Sequence, residues 1–334
     1  MNSVTYPGVS VIMPVLNEFN HLQAAVRAAL AQDYPGEIEL IVAVGPSKDG
    51  TEELVQQIAL ADKRVKSIVN PSGRTATALN LAIENSHFDY IVRIDGHSEI
   101  EPSYISRAVA ILRERERDGV VNVGGLMAAE GTTFFERTVA RAMRSPLGVG
   151  SSRFHVGGDA GESDTVYLGV FKKSALVAIG GFDQRFTRAQ DWELNHRLRL
   201  NGGKVWFDPT LKVTYRPRSN FRSLAKQYFE YGRWRRVVSR QHLGTVNFRY
   251  LAAPFAVAVN SLSLVLGLTN SFAFFAPVAF YLALMILGGM VIGKSWGERF
   301  LLPMVMATMH HSWGLGFLTS PKRLLLQGRM KSNG

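Results

Sequence analysis

Apolar and polar positions along the first third of the chain fall into two alternating rhythms. Short runs rich in β-branched residues at 9–13, 38–44, 65–69, 90–94 and 120–123 predict strands. Between them, 21–32, 51–61, 75–85 and 102–115 carry the period of amphipathic helices. Strands that are apolar on both faces and alternate strictly with helices predict an α/β fold, a mostly parallel sheet with helices on both faces. Ligands of such a sheet lie beyond the carboxyl ends of its strands. That edge carries Asn17-Glu18, the loop after Val44, and Asp95-Gly96-His97.

The pattern loosens over 126–245, which is richer in Gly, Arg and aromatic residues. One helix stands out in the second half of 182–203, where Glu193 and Arg197 are four apart, Leu194 and Leu198 share a face and Gly202-Gly203 ends it. Then 250–293 runs for 44 residues without a charge, broken only by the turn-like Thr269-Asn270-Ser271. At roughly 20 residues per span this predicts a membrane helical hairpin. Arg235, Arg236, Arg240 and Arg249 precede it and Lys294 and Arg299 follow it, so the positive-inside rule puts both flanks in the cytoplasm. A third apolar stretch, 300–318, contains Pro303, His310-His311 and Trp313 and is followed by Lys322, Arg323 and Arg329. A full crossing would carry those cations outward, so an interfacial or re-entrant segment is expected there. The domains expected are 1–245, with halves at 1–125 and 126–245, and a membrane-associated region at 246–334.

Charge sharpens this division. The net charge is +11, and 204–249 alone holds eleven Lys/Arg against Asp208 and Glu230. Interleaved aromatic residues would suit nucleic acid, but a cationic, aromatic segment abutting an apolar hairpin suits anionic headgroups better, so a membrane and no nucleic acid is the expectation. With no cysteine in the chain, disulfides, thiolate metal sites and cysteine nucleophiles are excluded. The opening MNSVTYPGVSVIMPVLNE lacks the basic and apolar regions of a signal peptide, and the first domain is expected in the cytoplasm.

Two constellations could carry chemistry. Asp95 and His97, with only Gly96 between them at a strand end, offer an oxygen and a nitrogen donor to one divalent ion, although a strand-end turn with a capping Asp has the same spelling. Asp191 stands at a helix start, where the helix dipole keeps a carboxylate ionised and able to accept a proton, or where it is simply a helix-start residue. Neither G-x-G-x-x-G after the first strand nor G-x-x-x-x-G-K-[ST] occurs. The ligand edge instead reads SVIMPVLNE (10–18), VGPSKDGT (44–51) and NPSGRTATALN (70–80).

In this order and spacing these segments resemble family 2 glycosyltransferases of the GT-A fold, in particular the membrane-associated, succinoglycan-biosynthesis-type branch, over residues 8–245 and the hydrophobic tail. The resemblance implies that Pro14, Val15, Asn17 and Glu18 of PVLNE line a nucleoside pocket, and that Gly45, Ser47 and Asp49 shape the second loop of a donor site. Arg74 would face the diphosphate. DGH is similar to the family's Asp-x-Asp, assigning Asp95 to donor and metal and His97 to metal, with Mn²⁺ or Mg²⁺ as the ion. QDWEL resembles the motif that supplies the general base, here Asp191, flanked by Gln190 and Trp192. QYFEYGRWRR (227–236) is similar to a segment near the membrane that contacts leaving group or acceptor, through Gln227, Arg233 and Trp234. Many relatives carry an acidic residue before the second motif, and Val44-Gly45 stand there instead, leaving the base unassigned. The implied activity is inverting transfer from a nucleotide-sugar donor to a lipid-linked saccharide or polysaccharide at the cytoplasmic membrane. A non-catalytic scaffold and a processive synthase are the rival expectations.

Overall fold

The computed structural model describes residues 6–325; residues 1–5 and 326–334, with Arg329 of the expected cationic flank, lie outside them. The chain opens with β1 (Val9–Val15), α1 (Phe19–Leu30), β2 (Ile38–Val44), α2 (Thr51–Ala61), β3 (Val65–Val69), α3 (Thr75–Glu84) and β4 (Tyr90–Arg93). There follow β5 (Glu99–Ile100), α4 (Tyr104–Arg115), β6 (Val120–Ala129), α5 (Phe134–Met143), α6 (Pro146–Val149) and α7 (Arg153–Val156). Next come β7 (Gly161–Glu162), β8 (Tyr167–Lys172), α8 (Lys173–Ala178), α9 (Gln190–Leu200) and β9 (Lys204–Tyr215). Four long helices close the described chain: α10 (Phe221–Gln241), α11 (Phe248–Thr269), α12 (Ala276–Ile292) and α13 (Trp296–Thr319). These elements group into two compact units, 6–128 with 157–215, and 129–156 with 216–325.

The first unit is built on one sheet of order β3-β2-β1-β4-β8-β6-β9-β5, with β7 beside β9. Pairing is parallel among β3, β2, β1 and β4. It is antiparallel where β8 meets β4 and β6, and where β5 and β7 meet β9. The expected parallel sheet is thus one half of a mixed one. Strand-helix-strand crossovers, which force parallel pairing, hold only as far as β4. Both faces are covered, as expected: Val9, Val11 and Met13 pack with Leu22 of α1, Val55 of α2 and Ile105 of α4, while Ile12 and Ile41 pack with Leu79 of α3, Leu176 of α8 and Leu194 of α9.

One charge lies inside this sheet near the amino ends of its strands. The Glu39 carboxylate on β2 is buried and accepts from Ser10 Oγ at 2.6 Å, Lys66 Nζ at 2.7 Å and the His87 N–H at 2.6 Å. Burial alone would raise its pKa, but these partners together bring it down to about 2.

In the second unit, helices approach so closely that side chains would not fit between them. A Cβ on Gly232 of α10 would fall 1.9 Å from the Trp313 carbonyl oxygen of α13, and one on Gly316 of α13 would fall 2.0 Å from the Phe229 carbonyl oxygen. The segment expected to be interfacial or re-entrant lies within α13, one unbroken helix started by a Ser295–Glu298 capping box, so the chain does not turn back there. Pro303 is accommodated because the facing residue on α12 is Gly289, where a Cβ would stand 2.7 Å from the proline ring. Two helices of the unit are long and apolar enough to cross a membrane: Phe248–Thr269 and Phe272–Ile292, of mean hydropathy 1.9 and 2.2.

Because the folded pKa of Glu39 is depressed, its contribution to stability is fully present above about pH 4.5 and is lost as pH falls toward 2. The shift corresponds to about 3 kcal/mol at neutral pH. Urea unfolding of the detergent-solubilised chain at pH 7 and pH 3 is expected to show an acid loss that shrinks by about 2 kcal/mol in Glu39→Gln, since part of the contribution persists at pH 3. Gly232→Ala must push two backbones apart and is expected to cost about 1–3 kcal/mol, read as a lowered thermal midpoint.

Candidate active site

The order of the parallel strands makes a crevice. From β1 the chain passes to β2 and β3 on one side, then returns to place β4 on the other. Connections therefore diverge at the β1/β4 boundary, where an α/β sheet leaves an opening beyond its carboxyl ends. The ladder between the two strands stops at Ile12 and Arg93, with a last bond from the Ile94 N–H to the Ile12 carbonyl at 3.1 Å. Pro14, two residues on, aims its missing N–H to the same side, where β4 has already ended. Val15 is buried at the strand end.

The loop after β1 is clasped to the loop after β2. Asn17, in the left-handed region at φ 56°, donates its N–H to Ser47 Oγ at 3.0 Å and accepts from the Lys48 N–H at 2.9 Å. The Glu18 N–H donates to Thr51 Oγ1 at 2.9 Å and the Phe19 N–H to Asp49 Oδ2 at 3.1 Å. The Thr51 hydroxyl, donating to Asp49 at 2.6 Å, is the main influence holding that carboxyl below its ordinary range. Gly45 lets the loops after β1, β2 and β3 converge, since a Cβ there would lie 3.0 Å from Leu16 and 3.1 Å from Gly73.

At the end of β4 stands a residue the sequence reading did not nominate. Arg93, 4% exposed, donates through Nε to Asp95 Oδ1 at 3.0 Å and through Nη2 to Asp95 Oδ2 at 3.3 Å. Its third nitrogen, Nη1, donates to Asp191 Oδ1. One guanidinium thus joins the carboxylate at the end of β4 to the carboxylate in the first turn of α9. Burial pushes the Asp191 carboxyl above its ordinary range, Arg93 opposes the shift and Asp95 adds to it. The helix start alone predicts the opposite direction, and burial outweighs it. The side chain still has an open side, with 40% of its surface exposed. The signal for Arg93 was a charge inside the otherwise apolar strand YIVRI.

Behind this group lies a polar layer: Asn122 Nδ2 donates to Asn195 Oδ1 at 2.7 Å, and Asn195 Nδ2 to Thr165 Oγ1 at 2.9 Å. Together with Arg93, Asp191 and Gly169 these asparagines line a small cleft. The β6/β8 register shifts between Val123 and Gly125 beside it, an irregularity that re-aims strand side chains next to a site.

Across the crevice, His97 Nδ1 lies 2.8 Å from Glu18 Oε1, tying the turn after β4 to the loop after β1. Gly96 makes this approach possible, because a Cβ there would fall 2.8 Å from Val15 Cγ1. Among the described residues no three His, Cys, Asp or Glu side chains gather to hold a metal ion. Asp95 and His97 supply a carboxylate and an imidazole on one tight turn, a donor set that suits a hard divalent ion only where substrate phosphate oxygens fill the remaining positions. Arg74 occupies the N-cap of α3 and donates from Nη1 to the Gln184 carbonyl at 3.3 Å.

The other nominated residues are distributed as follows. Gln190 is buried at the start of α9, and Trp192 stacks on His196 with ring centroids 5.2 Å apart. Gln227, Arg233 and Trp234 lie on α10 in the second unit. There Gln227 Nε2 donates to the Tyr231 hydroxyl at 2.8 Å, Arg233 pairs with Glu230 at 2.7 Å, and Trp234 is buried. Within the first unit the structure brings together Asp95 with Asp191, Glu18 with His97, and Asn17 with Ser47.

Residues 10–163 match the family described as Glycosyl transferase family 2. Over 311 residues the chain is 29% identical to the succinoglycan biosynthesis protein ExoA of Rhizobium meliloti (strain 1021), covering 92% of this chain and 93% of that protein. It is 25% identical, over 77% of this chain and 81% of the relative, to a dolichyl N-acetyl-alpha-D-glucosaminyl phosphate 3-beta-D-2,3-diacetamido-2,3-dideoxy-beta-D-glucuronosyltransferase of Methanococcus voltae. Among solved structures, the mannosyltransferase PcManGT from Pyrobaculum calidifontis, in complex with GDP-Man and Mn²⁺, superposes with a TM-score of 0.66 at 17% identity, over 95% of this chain and 89% of its own. S. aureus TarS 1-349 in complex with UDP gives 0.50 at 16% identity, over 93% and 90%. At these identities the solved structures speak to the fold alone, and that fold is GT-A. Residues 10–163 thus match a family 2 glycosyltransferase domain, the fold is GT-A, and the chain is similar over nearly its whole length to a succinoglycan-biosynthesis protein.

Proposed function

We propose that this chain is an inverting glycosyltransferase that moves a sugar from a nucleotide-diphosphate donor to a lipid-linked saccharide or polysaccharide at the cytoplasmic face of a membrane. The observation that carries the reading is the Arg93 bridge, which holds a carboxylate suited to the donor side and one suited to the acceptor side on a single buried cation. Asp191, with its open side and raised pKa, accepts the proton of an acceptor hydroxyl. That oxygen attacks the anomeric carbon as the bond to the diphosphate oxygen breaks on the opposite face. One carboxylate on the acceptor side suffices, and no covalent enzyme intermediate forms. Arg74, with the N-terminus of α3, offers positive charge to the departing diphosphate. Asp95 and His97 would hold Mn²⁺ or Mg²⁺, which when bound supplies further charge to the leaving group. Pro14, Val15, Asn17, Glu18, Gly45, Ser47 and Asp49 form the walls for the nucleoside.

The membrane part of the reading rests on exposure. Only 28% and 11% of the two apolar helices is buried, whereas a core helix of a water-soluble protein would be covered. The cations that flank the pair favour the cytoplasmic side. Two relatives, one named for succinoglycan biosynthesis and one for transfer to a dolichyl-linked sugar phosphate, support a polymer or lipid-linked acceptor.

Calorimetry of the detergent-solubilised chain with UDP, GDP and TDP, with and without Mn²⁺ or Mg²⁺, is expected to show metal-dependent binding of one nucleotide and its weakening in His97→Ala. Absence of binding by all three to a folded chain would overturn the donor assignment. Asp191→Asn is expected to lower turnover by about 10²–10⁴-fold while leaving nucleotide binding near wild type. Since the base must be deprotonated and its pKa is raised, the acid limb of the turnover profile is expected above the ordinary aspartate range; a limb at or below it, or wild-type turnover in Asp191→Asn, would remove Asp191 from this role.

A further inference from the structure

The second unit contains a pocket of about 630 Å³ that the catalytic reading does not use. Its walls include Arg137 and Arg141 of α5, Arg144 just after that helix, Glu130, and Ile292 and Lys294 at the end of α12. Four cations converge here. Arg141 is neutralised from behind by Glu298, with Nε 3.1 Å from Oε2. Arg137 is steadied by donating from Nη1 to the Thr132 carbonyl at 2.6 Å, which leaves its charge unmatched. Among the described residues, the side chains of Arg144 and Lys294 make no ion pair or hydrogen bond. Counting Glu130 against one of them, about two positive charges face the pocket, close to the charge of a phosphate monoester.

The position of the pocket along the chain says what kind of phosphate it suits. Ile292 is the last residue of the apolar span Phe272–Ile292, and Lys294 follows two residues later. Beyond it, Trp296 and Phe300 are 66% and 67% exposed, and the Arg299 guanidinium lies 4.9 Å from the Trp296 ring centre. Exposed aromatic and cationic side chains at the end of an apolar span belong to the headgroup level of a bilayer. On the membrane reading of the hairpin, which this step requires, the pocket therefore opens where lipid phosphates lie. We propose that it binds the phosphate of a membrane lipid, with Arg137, Arg144 and Lys294 as the anion contacts and the hydrocarbon tail along α12.

The test is native mass spectrometry of the full chain released from detergent, titrated separately with a polyprenyl monophosphate, phosphatidylglycerol, zwitterionic phosphatidylcholine and inorganic phosphate. The two anionic lipids, or the polyprenyl phosphate alone, are expected to stay bound in preference to phosphatidylcholine. Retention should fall at least about tenfold in the Arg144→Gln, Lys294→Gln double variant and persist in Arg144→Lys, Lys294→Arg. Preference for the polyprenyl phosphate would identify a carrier lipid, and equal retention would identify a general anionic headgroup. Undiminished retention in the double Gln variant, or inorganic phosphate competing as well as the lipids, would overturn the proposal. Nucleotide calorimetry on the same variants separates the two readings: donor binding that survives loss of lipid retention leaves the catalytic assignment standing, and its absence from the wild-type chain would count against that assignment alone.

Discussion

A buried guanidinium between two carboxylates is the constraint on which the site depends. Arg93 is almost inaccessible to water, and an arginine so placed without partners would cost several kcal/mol. Asp95 and Asp191 offset that cost, and in return Arg93 fixes the position of both. Removing Arg93 would leave two carboxylates with no cation between them, whereas losing either aspartate would leave a balanced pair. The trio carries one net negative charge, so the crevice is a place where an additional cation or a proton is welcome.

The sheet decides where this trio can stand. Parallel strands with β2 and β4 on either side of β1 open a crevice at their carboxyl ends, and the β1/β4 ladder ends early enough to leave it unfilled. The antiparallel half then brings β8 and β6 alongside, with a register irregularity at the place where the asparagine layer backs the arginine. The amino ends of the strands hold their own buried charge, Glu39, but it is enclosed by four polar partners and turned to no opening. Two buried ionic groups in one sheet thus have different uses, and the end of the strand decides which.

Much of this was legible in the residues. Periodicity located β2, β3 and α2 to the residue: β2 is buried along its whole length, α2 buries one face, and β3 is marked by its β-branched residues although it is a partly exposed edge strand. The apolar pair α11 and α12 was as plain. The antiparallel half was not, since 126–215 mixes glycine, arginine and short strands whose partners are set by distant contacts. Asp95, His97 and Asp191 stood out by spelling, yet the residue that unites two of them did not, because an arginine in a short strand reads equally well as an exposed edge position. The clasp of Asn17 and Asp49 was hidden for a different reason: its bonds run between backbone and side chain across about thirty residues, where no local pattern reports them. Close helix approach through Gly232 and Gly316 was likewise invisible, as glycine in an arginine-rich helix resembles a weak point more than a contact.

That clasp has a consequence for how such a protein can be altered. Residues 16–19 and 45–51 are held to one another by a set of cross-loop hydrogen bonds: Asn17 keeps its left-handed backbone while leaning on Ser47 and Lys48, and Asp49 serves both Phe19 and Thr51. If these loops wall the nucleoside as proposed, a change of nucleotide preference engineered into one loop alone would have to be absorbed by the other. The two therefore form one cassette, to be exchanged between relatives together or not at all.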